Sequence, residues 1–252
     1  MLGYYSKLSS EVYDLDKYIG LSYGDVEFYH ERLATCKGKI LEPGVGTGRI
    51  LIPLLEKGLD VEGFDVSDEM LKICQQNCAD RGLHPTLFQG EMESVSLDTN
   101  YEAIIVPTGT FLLLHKREDS IRALENFYRH LSDGGKLIID IFLQEDFSMD
   151  KVSTRTWEAD DDHMITLESK IVEVDYINQH TISHHRYEKW RNGELIQTEL
   201  ERFPLRWYGV EEFKLLLEKV GFTDITISSD YVYGQYPTKM NEIITFEAVA
   251  KK

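Results

Sequence analysis

The sequence predicts a doubly wound α/β fold, a mostly parallel sheet with helices on both faces, plus an antiparallel β insertion. Three observations carry this. From Ile40 to Asp140 short apolar runs alternate with helical patterns, the order that builds a parallel sheet with crossover helices. The first run, Lys39-Ile-Leu-Glu-Pro-Gly-Val-Gly-Thr-Gly-Arg49, passes into a turn with glycine at 44, 46 and 48. Beyond Phe142 the texture changes to strand-like runs separated by turn residues.

The elements follow in order. Residues Ser9 to Leu33, rich in tyrosine and acids, read as helical pieces ahead of the first strand. After the glycine turn a helix-like run, Ile50 to Glu56, leads to a second strand, Leu59 to Asp65. That strand ends on a carboxylate about 20 residues after the first glycine, the layout of a nucleoside-binding βαβ unit. Glycine lets the backbone approach a ligand closely, and a carboxylate at the strand end can accept both hydrogen bonds of a ribose diol. A helix over Glu118–Leu131 gathers Ile121, Leu124, Phe127, Tyr128 and Leu131 into one stripe.

Within residues 151–204 three β-type runs follow: Met164 to Val174, Thr181 to Trp190 and Glu194 to Phe203. Asn178 and Asn192-Gly193 lie between them, and Asn-Gly flanked by such runs is a strong hairpin signal. Alternation leaves one face apolar or aromatic and the other charged. A last helix, Val210 to Val220, and two strands, Thr223 to Ser228 and Ile243 to Ala250, complete the chain. Residues 1–150 and 205–252 are therefore expected to form one ligand-binding domain with an N-terminal helical cap. Residues 151–204 are expected to form its lid.

Composition narrows the partners. The 252 residues suit one large domain or a domain with an insertion. The formal charge is -17 and the sequence pI about 4.9, which opposes a nucleic-acid partner, since such binding is driven by Lys and Arg. It suits small neutral or cationic molecules. No apolar run approaches a membrane span, and the stretch from Met1 lacks the regions of a signal peptide. Three cysteines, Cys36, Cys74 and Cys78, do not make a disulfide framework, so a cytoplasmic location is the default. Cys74 and Cys78 read as packed helix residues. His180, His184 and His185 do not form a metal cluster, because His185 points away from the other two in a strand; no metal is expected. Asp160-Asp161-Asp162-His163 reads as an exposed turn.

The acid before the first glycine gives the turn its chemistry. Dinucleotide enzymes prefer G-x-G-x-x-G, whereas this chain has Glu42-x-Gly44-x-Gly46-x-Gly48. Glu42 would repel a pyrophosphate but not a cofactor with an amino group and a sulfonium. In this respect the sequence resembles class I S-adenosylmethionine (SAM)-dependent methyltransferases of the small-molecule type, whose fold is Rossmann-like with a terminal antiparallel strand. Glu42 to Gly48 looks like their first motif. Asp65 to Leu71 resembles their acidic strand end and helix start, and Leu87 to Met92 their third strand and loop, with Glu91 in place of the common Asp. Tyr101 to Val106 resembles the fourth strand, Pro107 to Phe111 the loop beside the sulfonium, and Leu131 to Asp140 the step into the fifth strand. Leu205 to Phe213, through Val220-Gly-Phe222, resembles the last helix and its exit.

The resemblance implies SAM as cofactor and assigns residues to it. Gly44, Gly46 and Gly48 would let the backbone pass under the methionyl part and ribose. Glu42 would face the amino group, and Asp65 would accept from the ribose. Val66 and Met70 would pack on the adenine, Glu91 would accept from its amino group, and Met92 would flank the ring. Thr108 would lie along the methionyl end. Tyr13 would close over the sulfonium, since aromatic faces attract cations. His115 is the candidate base, with an imidazole suited to proton removal near neutrality. Phe111, Trp157, Trp190, Trp207 and Tyr208 are candidates for the acceptor pocket. The expected reaction is methyl transfer to a small molecule, at nitrogen rather than oxygen, because an amine bound neutral needs little base assistance. A nicotinamide-dependent oxidoreductase and a non-catalytic SAM-binding protein are the competing readings. The acceptor and the oligomeric state are not specified by the sequence.

Overall fold

The structure, a computed structural model, describes residues 5–159 and 162–252. Met1 to Tyr4, and Asp160 and Asp161 of the acidic run, lie outside the described residues. Two helices come first, α1 (Lys7–Asp16) and α2 (Asp25–Leu33). The alternating part runs β1 (Ile40–Pro43), α3 (Leu51–Glu56), β2 (Val61–Asp65), α4 (Asp68–Ala79), β3 (Leu87–Gln89), β4 (Tyr101–Val106), a 3-10 turn (Thr110–Leu113), α5 (Arg117–His130) and β5 (Leu131–Phe142). Four long strands follow: β6 (Val152–Glu158), β7 (His163–Asp175), β8 (His180–Arg191) and β9 (Glu194–Arg206). The chain closes with α6 (Val210–Val220), β10 (Phe222–Ser229) and β11 (Ile243–Ala250).

The central sheet has seven strands in the order β10-β11-β5-β4-β1-β2-β3. Pairing is parallel from β3 through β5, whereas β11 lies antiparallel to both β5 and β10. The order reverses between β1 and β4, and in such sheets ligands bind outside the carboxyl ends of the strands at that point. The burial of β1 and β2 is continuous rather than alternating, because helices cover both faces. One apolar cluster joins β4, β5, α5, α6 and β11, and another joins α2, α3 and α4 to the other face. Cys74 and Cys78 are buried in that second cluster.

The second sheet, β6-β7-β8-β9, is wholly antiparallel. Asn192 and Gly193 both have positive φ (49° and 83°), as the tight hairpin turn requires. Two details differ from the sequence reading. The strand β6 carries almost no buried side chain, so it has no apolar alternation to announce it. And β9 runs on to Arg206, past the expected boundary at 204, with Pro204 opposite Ile182. An edge strand tolerates proline because the missing N–H costs no ladder bond on its outer side. The inner face of this sheet, with Ile165, Leu167, Tyr187 and Trp157, packs on Leu8 and Val12 of α1.

Candidate functional site

A cleft with about 710 Å³ of empty space, its mouth included, opens at the strand-order reversal. The turn after β1 forms its floor. Gly44 has φ +70°, and a Cβ there would collide with the Thr110 side chain. Gly46 has φ +56°, and its Cα faces the Tyr13 ring, 3.5 Å from where a Cβ would sit. Both glycines therefore hold a surface that a side chain would fill. Gly48 serves packing instead: a Cβ there would lie 2.9 Å from Cys74 Sγ and 3.0 Å from Ile52, so it brings α3 against α4 and does not line the cleft. Gly63, which the sequence reading passed over, meets Val45 in the same way, at 2.8 Å, and lets the turn lie on β2.

Asp65 ends β2 and is 7 % exposed. Its Oδ2 accepts from Gly46 N and its Oδ1 from Ser67 N, each at 2.9 Å. Burial raises its pKa, and these backbone bonds oppose the rise. A carboxylate has about four acceptor positions, so capacity remains for a diol. Ser67 rather than Asp65 caps α4, accepting from Met70 N at 3.2 Å. Val66, half exposed, and Met70, buried, line the cleft with Phe64, and Glu91, Met92 and Glu93 line it from the loop after β3.

Glu42 lies behind the glycine turn. It is 3 % exposed, and its Oε2 is buried without a partner. Burial pushes its carboxyl well above the usual range; Arg49 opposes this, while Asp65 and Asp25 add to it. A buried carboxylate oxygen without a donor carries the full desolvation cost, and an ammonium group would satisfy it. Arg49 is itself held by Asp25 at 2.6 Å and by Leu21 O at 3.1 Å.

The chain just before α1 and α1 itself form the roof. Tyr5 and Tyr13 line the cleft with rings 5.7 Å apart, edge to face. Burial raises both phenol pKa values, with neighbouring Tyr13 adding for Tyr5 and Glu42 for Tyr13. Thr108 (φ 56°) does not line the cleft; its N–H donates to Asp140 at 2.9 Å, and Thr110 lines the cleft in its stead. Asp140, at the end of β5, is fully buried and also accepts from Thr245 Oγ1 (2.7 Å) and Tyr231 OH (3.1 Å). Burial raises its pKa to about 6, against the pull of those bonds.

The acceptor candidates scatter. Phe111 and Tyr208 are corrected to core residues: both are at most 1 % exposed and pack with Phe213, and Tyr208 OH donates to Ser120 Oγ. Trp157 packs beneath α1 and donates to Asp16 at 3.4 Å, and Trp190 donates to Thr166 at 3.2 Å. Trp207 packs edge-on to Phe147, 4.9 Å away, and against Tyr176. None of the five lines the cleft. His115 lines a different cavity, with its pKa lowered by burial and by His180. His184 is exposed and His185 stacks on Phe203. Among the described residues no cluster of three or more His, Cys, Asp or Glu is disposed to hold a metal ion, and no helix is long and apolar enough to cross a membrane.

Residues 40–135, from β1 to the start of β5, match the methyltransferase domain family. YqeM of Bacillus subtilis (strain 168), named as a methyltransferase, is 29% identical over 219 residues, covering 86% of this chain and 85% of its own. The glycine/sarcosine N-methyltransferase of Aphanothece halophytica is 28% identical over 200 residues, covering 77% of this chain and 69% of its own. In fold, an S-adenosylmethionine-dependent methyltransferase from Clostridium acetobutylicum ATCC 824 superposes with TM-score 0.74 at 19% identity, covering 96% of this chain and 98% of the other. Residues 40–135 thus carry a methyltransferase domain, on a fold shared with S-adenosylmethionine-dependent methyltransferases. The protein is a methyltransferase with S-adenosylmethionine as its cofactor, and the nicotinamide reading falls away.

Proposed function

We propose that this methyltransferase acts on a small molecule and methylates an amine nitrogen. The observation that carries the reading is the charge of the cleft. Asp65, Glu91 and Glu93 line it, Glu42 lies buried behind its floor, and no Lys or Arg is among the described residues that line it. Such walls favour a cationic cofactor and draw in an amine acceptor, whose ammonium form must release its proton to water or to one of these carboxylates before the nitrogen attacks. When bound, SAM supplies a methyl group on a sulfonium, already poised to leave. The chain's own part is to align the acceptor with that methyl and to exclude water.

Glu42 meets the cofactor's amino group, Asp65 accepts from the ribose, and Val66 and Met70 face the adenine, with Glu91 and Met92 at its edge. Gly44 and Gly46 form the floor and Tyr13 the roof. Tyr5, raised in pKa by burial like Tyr13, joins it there. Both phenols keep their protons near neutrality, so neither can take the proton of an alcohol, whereas an amine bound neutral attacks without that help. The 28% identical glycine/sarcosine N-methyltransferase agrees in the kind of atom methylated. The sheet of β6 to β9 serves as the lid on the acceptor side.

Matched amine and alcohol acceptors, followed by release of S-adenosylhomocysteine, test the proposal. Amines are expected to turn over at least about 100-fold faster, the lower end of what a missing general base costs an alcohol. Faster turnover of the alcohols contradicts it.

A further inference from the structure

A second cavity begins one residue beyond the cleft. Leu113 and Leu114 line the cleft, and His115 lines the second cavity, together with Lys116, Arg117, His180 and Arg206. In a chain of net charge -17 this concentration of cations is anomalous. Two carboxylates are also present. Glu212 is engaged by Gln179 Nε2 (3.0 Å), Gly209 N (3.3 Å) and Arg117 (3.6 Å), and Glu118 stands exposed in the first turn of α5.

Two independent features point to a negatively charged ligand. The first is Arg206, only 2 % exposed. Its Nη1 donates to the carbonyls of His115 (3.0 Å) and Asn178 (2.8 Å), and the guanidinium carbon lies 5.1 Å from the centre of the Tyr208 ring. Its Nε is buried without a partner. The charge thus rests against neutral groups, although a buried charge ordinarily requires an ion pair. The second is the N-terminus of α5, a 14-residue helix whose N-cap, Lys116, makes no side-chain cap bond. Asp119 N and Ser120 N already donate to Lys116 O, and Glu118 and Asp119 stand in the first turn, so the helix offers an anion the N–H groups of Arg117 and Glu118 and the positive end of its dipole. Between these features lie His115 and His180, ring centres 5.4 Å apart, with His180 Nδ1 also buried and unpartnered. His180 Nε2 is 3.4 Å from Glu173 Oε1. Burial lowers the His115 pKa, with His180, Arg202 and Lys116 adding to the fall and Asp119 opposing it.

We propose that this cavity is an oxyanion-binding site, taking the phosphate or carboxylate of a small molecule between Arg206, the His115–His180 pair and the N-terminus of α5. The oxyanion has two possible sources. One is the acceptor itself, which would place its amine in the acidic cleft and its acidic group here; that source rests on the proposed function. The other is a separate anion held beside the active site. Binding at the site requires no methyl transfer, so failure of the amine reading leaves it standing.

Calorimetric titration of inorganic phosphate into the full chain tests the site, with His180→Gln, Lys116→Ala and Arg206→Gln as variants. His180→Gln and Lys116→Ala leave the Arg206 carbonyl contacts in place, so they report even where Arg206→Gln fails to fold. Saturable phosphate binding is expected, weakened at least about fivefold in His180→Gln and Lys116→Ala, with SAM affinity unchanged in those two. Phosphate that inhibits competitively with the acceptor assigns the site to the acceptor's own acidic group; phosphate that binds without changing the acceptor KM assigns it to a separate anion. Either result supports the site. Absence of binding at millimolar phosphate, or binding equally tight in the variants, overturns it.

Discussion

Glu42 and Asp140 are both buried acids at strand ends around the cleft floor, and they differ in what satisfies them. Glu42 has an oxygen with no donor, whereas Asp140 accepts from Thr108, Thr245 and Tyr231. The first is an incomplete site and the second a closed one. Asp140 therefore acts on stability. Its carboxyl rises from 3.8 to about 6, so the folded state holds a proton that the unfolded chain releases between about pH 4 and 6. The contribution is fully present below the unfolded value and is lost as pH rises through about 6, by about 3 kcal/mol at most. Urea unfolding at a series of pH values checks this: the stability of Asp140→Asn relative to the parent is expected to rise by up to that amount between pH 4 and 7. Parallel pH profiles would refute it. Glu42 was legible in the sequence because it directly precedes the glycine turn. Asp140 and Arg49 were not read as site residues, since their neighbours come from distant parts of the chain. Phe111 and Tyr208 were misread for a related reason: an aromatic residue looks the same in sequence whether it lines a pocket or fills a core.

At the scale of elements, α1 joins the two sheets. Its N-cap, Ser6, makes no cap bond within the helix. Instead Glu199 and Glu201 of β9 receive the donors: Leu8 N to Glu199 at 2.8 Å, Ser6 N to Glu201 at 2.7 Å, and the Ser6 and Ser9 hydroxyls. Two ion pairs, Glu11–Lys189 at 2.6 Å and Asp16–Arg155 at 2.7 Å, extend the tie along the helix. Tyr13 rides on this helix, so the second sheet positions the roof of the cleft. The double variant Glu199→Ala, Glu201→Ala is expected to lose about 1–3 kcal/mol, the cost of orphaned cap donors, and to bind SAM more weakly. Unchanged stability and SAM affinity in urea titration and calorimetry would show that the tie does not hold the roof. The helix was legible from its composition. Its partner was not, because Ser6 and Glu201 are 195 residues apart. The strand β6 escaped for another reason: as an exposed edge, it owes its form to pairing with β7 rather than to its own pattern.

Across the whole molecule the order of strands determines where chemistry is possible. The reversal between β1 and β4 opens the cleft, and the glycine turn and Asp65 meet there because β1 and β2 are adjacent and parallel. This much was written in the sequence, since strand alternation and the glycine–acid spacing are local features that together imply a topology. The acceptor side was not, because it is assembled from segments whose contacts depend on how the two sheets meet. The account rests on the claim that SAM occupies this cleft with its ribose on Asp65. Calorimetric titration of SAM into the parent protein and Asp65→Ala tests it most directly. One saturable site is predicted for the parent, weakened in the variant by about 1–3 kcal/mol, the cost of lost hydrogen bonds to a charged acceptor. No binding by the parent, or equal affinity in the variant, would contradict the account.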